Sequence, residues 1–425
     1  MKIAMVTNTY APHVGGVARS VHAFASAFRR RGHDVLVVCP EFEGAPAAEV
    51  GVLRVPALQN FNGSDFSVVL SVPRSLRTAI EAFGPDVIHS HHPFLLGSTA
   101  VRLARALDRP LVFTHHTMYE QYTHYVPGDS PAMRRFVIHL STNYANLSDE
   151  VFAPSESIAE ILRRRSVRVP VRVVPTGVDL GEYAAGSGPG FRSIMGIPDD
   201  AFVIGHVGRL AAEKNLGLLG EALARALAVL PHAHALIVGQ GPEADALHAR
   251  FAAAGVLERV HFAGLLRNRF LVSAYKAMDV FAFASLSETQ GMVVSEAMAA
   301  SVPVVALDAP GVREMVRDGA NGRLLPPQAD AAVFCDALRA LADADRAPLR
   351  AAARATAEGF SLDHSADLAL AAYRVLLSGR DSQPRDAADE AWSRSLRLLR
   401  TEWDLLSGMA DAAVARDVEQ DGTAV

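Results

Sequence analysis

Two glutamates with seven residues between them, Glu288 and Glu296, stand in the string FAFASLSETQGMVVSEAMAASVP. The string opens on the end of an apolar strand, Val280, Phe281 and Phe283. It then breaks into a polar loop, Ser285 to Gly291, and resumes as a helix with Val293, Val294, Ala297 and Met298 as apolar positions. Gly291 lets the backbone pass close to a ligand, and the unpaired N–H groups of the helix start favour an anion such as a phosphate. Donors for phosphate beside carboxylates for hydroxyls suit a sugar nucleotide. Two glutamates at this spacing in an arbitrary chain would simply be solvated, so the surrounding residues decide between the readings.

Imidazoles form a second set. His89, His91, His92, His115 and His116 fall at the ends of two predicted strands, Val87-Ile88 and Leu111 to Thr114. Ligands bind at strand C-terminal ends in open α/β sheets, so the five are expected to converge on one edge. Zinc is one chemistry that histidines serve, but neither a carboxylate nor a cysteine completes a ligand spacing. For any one of the five, a hydrogen-bonded structural role is the alternative. Cations and glycines form the third set. Arg209 and Lys214 follow the predicted strand Phe202 to Val207, and Gly239-Gln-Gly241 follows Ala235 to Val238. Gly15 and Gly16 precede the predicted helix Ala18 to Arg30, as a tight turn or as an approach to phosphate.

The string around Glu288 and Glu296 closely resembles the E-x7-E segment of the retaining glycosyltransferases of family 4. The resemblance runs over roughly residues 1 to 375. It implies an α/β protein of GT-B fold: two Rossmann-like doubly wound domains facing across a cleft, with a C-terminal helical extension. It puts Glu288 near the donor sugar, Glu296 on the ribose hydroxyls, Arg209 and Lys214 on the diphosphate, and His116 at the active site. Gly16, Gly239, Gln290, Gly291 and Met292 become donor-binding positions. The segment His116-Thr-Met-Tyr-Glu-Gln-Tyr-Thr-His-Tyr125 resembles the H-T-M-Y-E-x-Y-x-H-Y string of the bacterial diacylglycerol glucosyltransferases. That branch implies an acceptor side made by His91, His115, Tyr119, Tyr122 and Tyr125. It also implies UDP-glucose as donor substrate, a lipid hydroxyl as acceptor, and no required cofactor or metal. Asp343-Ala-Asp345, between helical segments, is assigned no metal. A soluble acceptor is the alternative within the same chemistry, and a catalytically silent nucleotide-sugar binder is the alternative of another class.

Length and composition agree with such a frame. The 425 residues suffice for two domains, each with its own core. The expected division is an acceptor-side domain 1–178, a linker 179–192, a donor-binding domain 193–362, a closing helix 363–379 and a helical tail 380–425. A net charge of −5 gives no reason to expect nucleic acid. The two cysteines, Cys39 and Cys335, are far apart and fit a reducing cytoplasm. MKIAMV reads as a buried strand rather than a leader, and no apolar run approaches the roughly 18 residues of a membrane span. Membrane contact, if the acceptor is a lipid, is therefore expected to be peripheral, on the inner face of the cytoplasmic membrane.

Two further features have more than one reading. Arg163, Arg164, Arg165 and Arg168 close a helix, where they complement its dipole in water or meet acidic headgroups. In the tail, Trp392, Leu396, Leu399, Trp403 and Leu406 form one stripe at spacings of three or four. Packing on the N-terminal domain or on a homodimer partner is the leading expectation for that stripe, and an interfacial membrane helix is the other.

Overall fold

Strands buried on both faces should read as apolar runs, and the chain carries such runs at regular intervals. The computed structural model describes residues 1–46, 48–59, 67, 69, 74–123, 130–379 and 399–409. They divide into two compact units, the first made of Met1–Thr176 with the described residues from Leu362 on, the second of Gly177–Ser361.

In chain order, unit 1 contains β1 (Lys2–Val6), α1 (Gly16–Arg30), β2 (Asp34–Pro40), β3 (Val52–Val55), α2 (Arg74–Phe83), β4 (Val87–Ser90) and α3 (Leu96–Leu107). It continues with β5 (Leu111–Thr114), α4 (Pro131–Asn146), β6 (Glu150–Ala153), α5 (Glu156–Arg164) and β7 (Val171–Val173). All seven strands are parallel, in the order β3-β2-β1-β4-β5-β6-β7. Side chains alternate across the sheet, as a strand period of two requires. Ile3, Met5, Val37, Val112 and Phe152 meet Val21, Phe24 and Phe28 of α1, while Ala4, Val6, Ile88, Phe113 and Val151 meet Ala100 and Leu103 of α3 and Ile158 of α5.

Unit 2 holds α6 (Gly188–Met195), β8 (Phe202–Val207), α7 (Leu216–Val229), β9 (Ala233–Val238), α8 (Ala244–Ala253), β10 (Val260–Gly264) and α9 (Asn268–Lys276). Then come β11 (Val280–Phe283), α10 (Met292–Ala299), β12 (Val304–Leu307), β13 (Gly322–Leu325), α11 (Ala331–Asp343) and α12 (Ala347–Gly359). Its six parallel strands run β10-β9-β8-β11-β12-β13. Helix α13 (Leu362–Ser378) belongs to unit 1, where Leu370 and Tyr373 pack in the cluster of α1. Both units are therefore Rossmann-like, and in each the strand order reverses beside the first strand, where doubly wound sheets bind ligands.

The structure corrects several expectations. Asn321-Gly322-Arg-Leu-Leu, which opens on residues typical of a turn, contains edge strand β13, paired with β12 from Val304↔Gly322 to Leu307↔Leu325. The glycine-rich part of the expected linker 179–192 carries α6, which starts where the Ser187 hydroxyl accepts from the Gly190 N–H, with Pro189 in the first turn. Gly15 caps α1 at φ −168°, an extended conformation open to any residue, so the turn does not depend on its being glycine.

Trp392 and Leu396 of the tail stripe lie outside the described residues. Residues 399–409 are helical and rest on unit 1 by the opposite face: Glu402 pairs with Arg102 at 2.5 and 2.9 Å, Thr401 is buried, and the Gly408 carbonyl accepts from Asn143. That choice of docking face turns Leu399, Trp403 and Leu406 to solvent at 60–71% exposure, so this part of the stripe does not pack on the N-terminal domain.

Asp279, at the start of β11, is the polar centre of unit 2. It accepts from the Val203 N–H (2.9 Å), from Arg192 of α6 (2.7 Å) and from Arg350 of α12 (2.7 Å). Removing one partner from a buried ionic cluster leaves the others uncompensated, so Asp279→Ala is expected to lower unfolding stability by about 3 kcal/mol. Urea denaturation measures this, and an unchanged midpoint would refute it.

Candidate functional site

In unit 2 the reversal of strand order falls between β8 and β11, and two loops leave their C-terminal ends side by side. The loop after β8 runs Gly208-Arg209 to a short 3-10 turn, Ala212–Lys214. The loop after β11 is the Ser285 to Gly291 stretch. Three polar contacts bind them together: Ser287 and Ser285 donate to the Glu213 carbonyl at 3.0 and 3.4 Å, and the Asn215 amide donates to the Ala284 carbonyl at 3.3 Å.

Between the loops the Lys214 ammonium donates to Glu288 Oε1 at 2.6 Å, with the two side chains only 18% and 15% exposed. Burial alone would raise the Glu288 carboxyl. Lys214 and the Ser285 hydroxyl outweigh it and hold the group below the usual carboxylate range. The family resemblance implies different parts of a donor for these two residues; the structure couples them directly.

Gly291 caps α10 at φ 75°, a left-handed conformation that suits glycine, and no side chain caps that helix start. Gln290 is buried and Met292 is the first helical residue. Glu296 lies one turn further along and is 3% exposed, and the Tyr275 hydroxyl donates to its Oε2 at 2.7 Å. Arg209 is exposed at the mouth of the β8 loop. Gly239, at φ 140°, has a packing role: a Cβ there would overlap the Gly208 carbonyl oxygen, so it lets the β9 loop close on the β8 loop.

Sequence reasoning passed over His206, in β8 beneath these loops. Its Nδ1 donates to the Ala282 carbonyl at 3.1 Å, and its buried Nε2 has no protein partner among the described residues. Burial lowers its pKa to about 4. A histidine in an otherwise apolar strand was the available signal.

In unit 1 the corresponding loops follow β1 and β4, with the β5 loop beside them. The structure brings four of the five histidines together. His91 Nδ1 lies 2.8 Å from His116 Nε2, the rings stacked with centroids 5.1 Å apart, and His89 lies against His91 at 4.1 Å. His92 accepts at Nδ1 from the Asn8 N–H (3.1 Å), which assigns its proton to Nε2. Asn8, also passed over, clamps the β4 loop by donating to the Phe94 carbonyl and accepting from the Leu96 N–H. Leu95 in that loop has φ 56°, an uncommon conformation for a branched side chain and of the kind that collects at functional sites.

Burial keeps these rings neutral. It lowers His89 and His92 to about 3, and, with neighbouring imidazoles, holds His91 and His116 well below the ordinary value.

His115 points elsewhere, packing edge-on against Phe113 and Tyr119. Tyr119 sits in a 3-10 turn, Tyr119–Gln121, with Phe94 against its ring, and Tyr122 follows half-buried. Tyr125 lies outside the described residues. This turn is held by Arg165, which donates to Glu120 at 2.6 Å with both side chains largely buried. Arg165 is thus an internal strut of the aromatic turn rather than a solvated helix-end charge or a headgroup contact. The start of α1, with Gly16 as its first residue, carries no acidic side chain, and a Cβ on Gly16 would meet no neighbour.

A model described as Glycosyltransferase Family 4 matches residues 14–182, and one described as Glycosyl transferases group 1 matches residues 190–358. An alpha-monoglucosyldiacylglycerol synthase of Streptococcus pneumoniae is 29% identical over 357 residues, 81% of this chain and 79% of that protein. A GDP-mannose-dependent alpha-mannosyltransferase of Mycolicibacterium smegmatis is 34% identical over 335 residues, 76% of this chain and 84% of that protein. Among solved structures, Anabaena HepE in complex with UDP shares the fold, with a TM-score of 0.68 at 22% identity, covering 88% of this chain and all of that one. Two Rossmann-like parallel sheets with these likenesses define a glycosyltransferase of GT-B type. The chain belongs to glycosyltransferase family 4.

Proposed function

We propose that this glycosyltransferase moves glucose, with retention, from UDP-glucose to the hydroxyl of a diacylglycerol-like lipid, working peripherally at the cytoplasmic membrane. The observation that carries the sugar-transfer reading is the Lys214–Glu288 pair at the switch point of unit 2, beside the uncapped start of α10. In this reading the acceptor oxygen bonds to the anomeric carbon on the face from which the diphosphate departs. The bond from that carbon to the diphosphate oxygen breaks, and the departing oxygen takes the hydroxyl proton. Lys214, Arg209 and the amides of α10 carry the charge that builds on the leaving group. Glu288 faces the sugar, Glu296 holds the ribose, and His116 steadies the charge developing on the sugar.

The lipid acceptor rests on the string His116 to Tyr125, on the turn that sets Tyr119 against Phe94 and His115, and on the likeness to the pneumococcal synthase. Among the described residues no helix is long and apolar enough to cross a membrane. The mannosyltransferase relative favours a second reading, in which the donor is GDP-mannose.

A donor panel of UDP-glucose, UDP-galactose, UDP-glucuronate and GDP-mannose, each labelled in the sugar, tests both readings against diacylglycerol in mixed micelles and against soluble sugars. Label is expected in the organic phase from UDP-glucose. Product only from GDP-mannose would replace the donor, and label confined to water would reject the lipid. Retention is read from the anomeric coupling constant of the product.

A further inference from the structure

We infer that Tyr373, in the helix that returns to unit 1 after the whole of unit 2, is a positioning residue for His116. The inference rests on the reading of His116 as part of the transfer site. The Tyr373 hydroxyl lies 2.6 Å from His89 Nδ1, and His89 Nε2 lies 2.7 Å from Thr114 Oγ1, with all three side chains buried. Both nitrogens of one neutral imidazole are therefore engaged, which fixes the ring in rotation and in tautomer. A phenol donates more readily than it gives up its own proton in such a site, where burial raises its pKa further. Tyr373 thus donates to Nδ1, and His89 carries its proton on Nε2, toward Thr114.

The held ring is the floor on which His91 lies. His89 and His91 lie with ring centroids 4.1 Å apart and their planes tilted by 34°, and His91 Nδ1 contacts His116 Nε2 at 2.8 Å. His91 Nε2 is buried with no partner among the described residues. A stranded lone pair costs less than a stranded N–H, so the His91 proton belongs on Nδ1, donated to His116. That donation sets the His116 tautomer. Phe152 and Phe28 pack on the Tyr373 ring at 5.9 and 5.8 Å, so the phenol holds its place without the hydroxyl. Tyr373 and His89 are 284 residues apart in sequence, so a segment beyond the second unit completes the first unit's histidine cluster.

The test compares Tyr373→Phe, Thr114→Val and His116→Ala with the wild-type chain, using labelled UDP-glucose and mixed-micelle acceptor, or whichever donor the panel selects. Tyr373→Phe is expected to lower kcat on the order of tenfold to a hundredfold, with donor KM unchanged. Thr114→Val releases the same ring from its other nitrogen and is expected to act alike; it stands in if Tyr373→Phe does not fold. In 15N spectra of histidine-labelled protein, Tyr373→Phe should shift the imidazole nitrogens of His89, His91 and His116 together. Wild-type kcat in the folded variants while His116→Ala is inactive, or a shift confined to His89, overturns the inference. Full turnover in His116→Ala instead overturns the reading on which it rests.

Discussion

A Lys214→Met enzyme is expected to lose on the order of a hundredfold to a thousandfold in kcat, the usual cost of removing one preorganised group that stabilises transition-state charge. The ammonium faces Glu288 at 2.6 Å, so it also neutralises a carboxylate that is 15% exposed. The substitution therefore damages stability as well as chemistry, and the two effects can be separated. Stranding the Glu288 carboxylate should cost about 3–5 kcal/mol. Adding Glu288→Gln to Lys214→Met removes the stranded charge and should restore most of that stability without restoring turnover. Stability without activity is the signature expected of a pair whose work is done on a substrate.

The pH dependence gives a second check on this pair. In the wild type Glu288 lies below its ordinary value, so its stabilisation is present above the unfolded carboxyl pKa of about 4.3 and is lost as pH falls through the folded value. In Lys214→Met only the Ser285 hydroxyl and His206 still oppose burial, so the carboxyl is expected to rise and the stabilisation from its ionised form to be lost. The stability gap between the two proteins should be widest near neutrality and close below about pH 4. Urea midpoints from pH 3 to 8 measure it. Wild-type kcat in Lys214→Met would remove the pair from the proposed site.

What the sequence made legible here follows from what local pattern can carry. Strands such as Val280–Phe283 and Leu111–Thr114 are buried on both faces and read as apolar runs, so their C-terminal loops, with Glu288 and His116, could be found. The short edge strand Gly322–Leu325 begins on Gly322 and Arg323, a turn-like opening with little apolar signal, and was as readable as a turn. The contacts that organise the candidate sites were not legible, because their partners lie far apart in the chain. Lys214 and Glu288 are separated by 74 positions, Glu120 and Arg165 by 45, and His89 and Tyr373 by 284. Nothing local marks Arg165 as a strut rather than a solvated helix end. Its partner becomes visible only when α5 and the 3-10 turn at Tyr119 are brought together.

His116→Ala should be the most damaging single change in unit 1, with a loss in kcat of roughly a hundredfold or more and with folding retained, since the ring is half-buried at a loop rather than at the core. Its proton balance makes the prediction specific. Burial and the imidazoles of His92, His89 and His115 keep His116 neutral well below the ordinary histidine pKa, so kcat should show no titration of this ring between about pH 6 and 8. The same depression affects stability. Below about pH 6.5 the unfolded chain binds a proton that the folded chain refuses, and stability falls by up to about 1.4 kcal/mol per pH unit for each such ring. His89, His91, His92 and His115 share the effect, so unit 1 should weaken steeply in mild acid. His116→Ala removes one of these protons and should flatten the slope of urea stability against pH between 5 and 6.5 by about one proton's worth. An inactive variant with that flatter slope fits a neutral imidazole at the reacting sugar. An active one leaves the histidine cluster as structural support and returns the search for the chemistry in unit 1 to the aromatic turn at Tyr119.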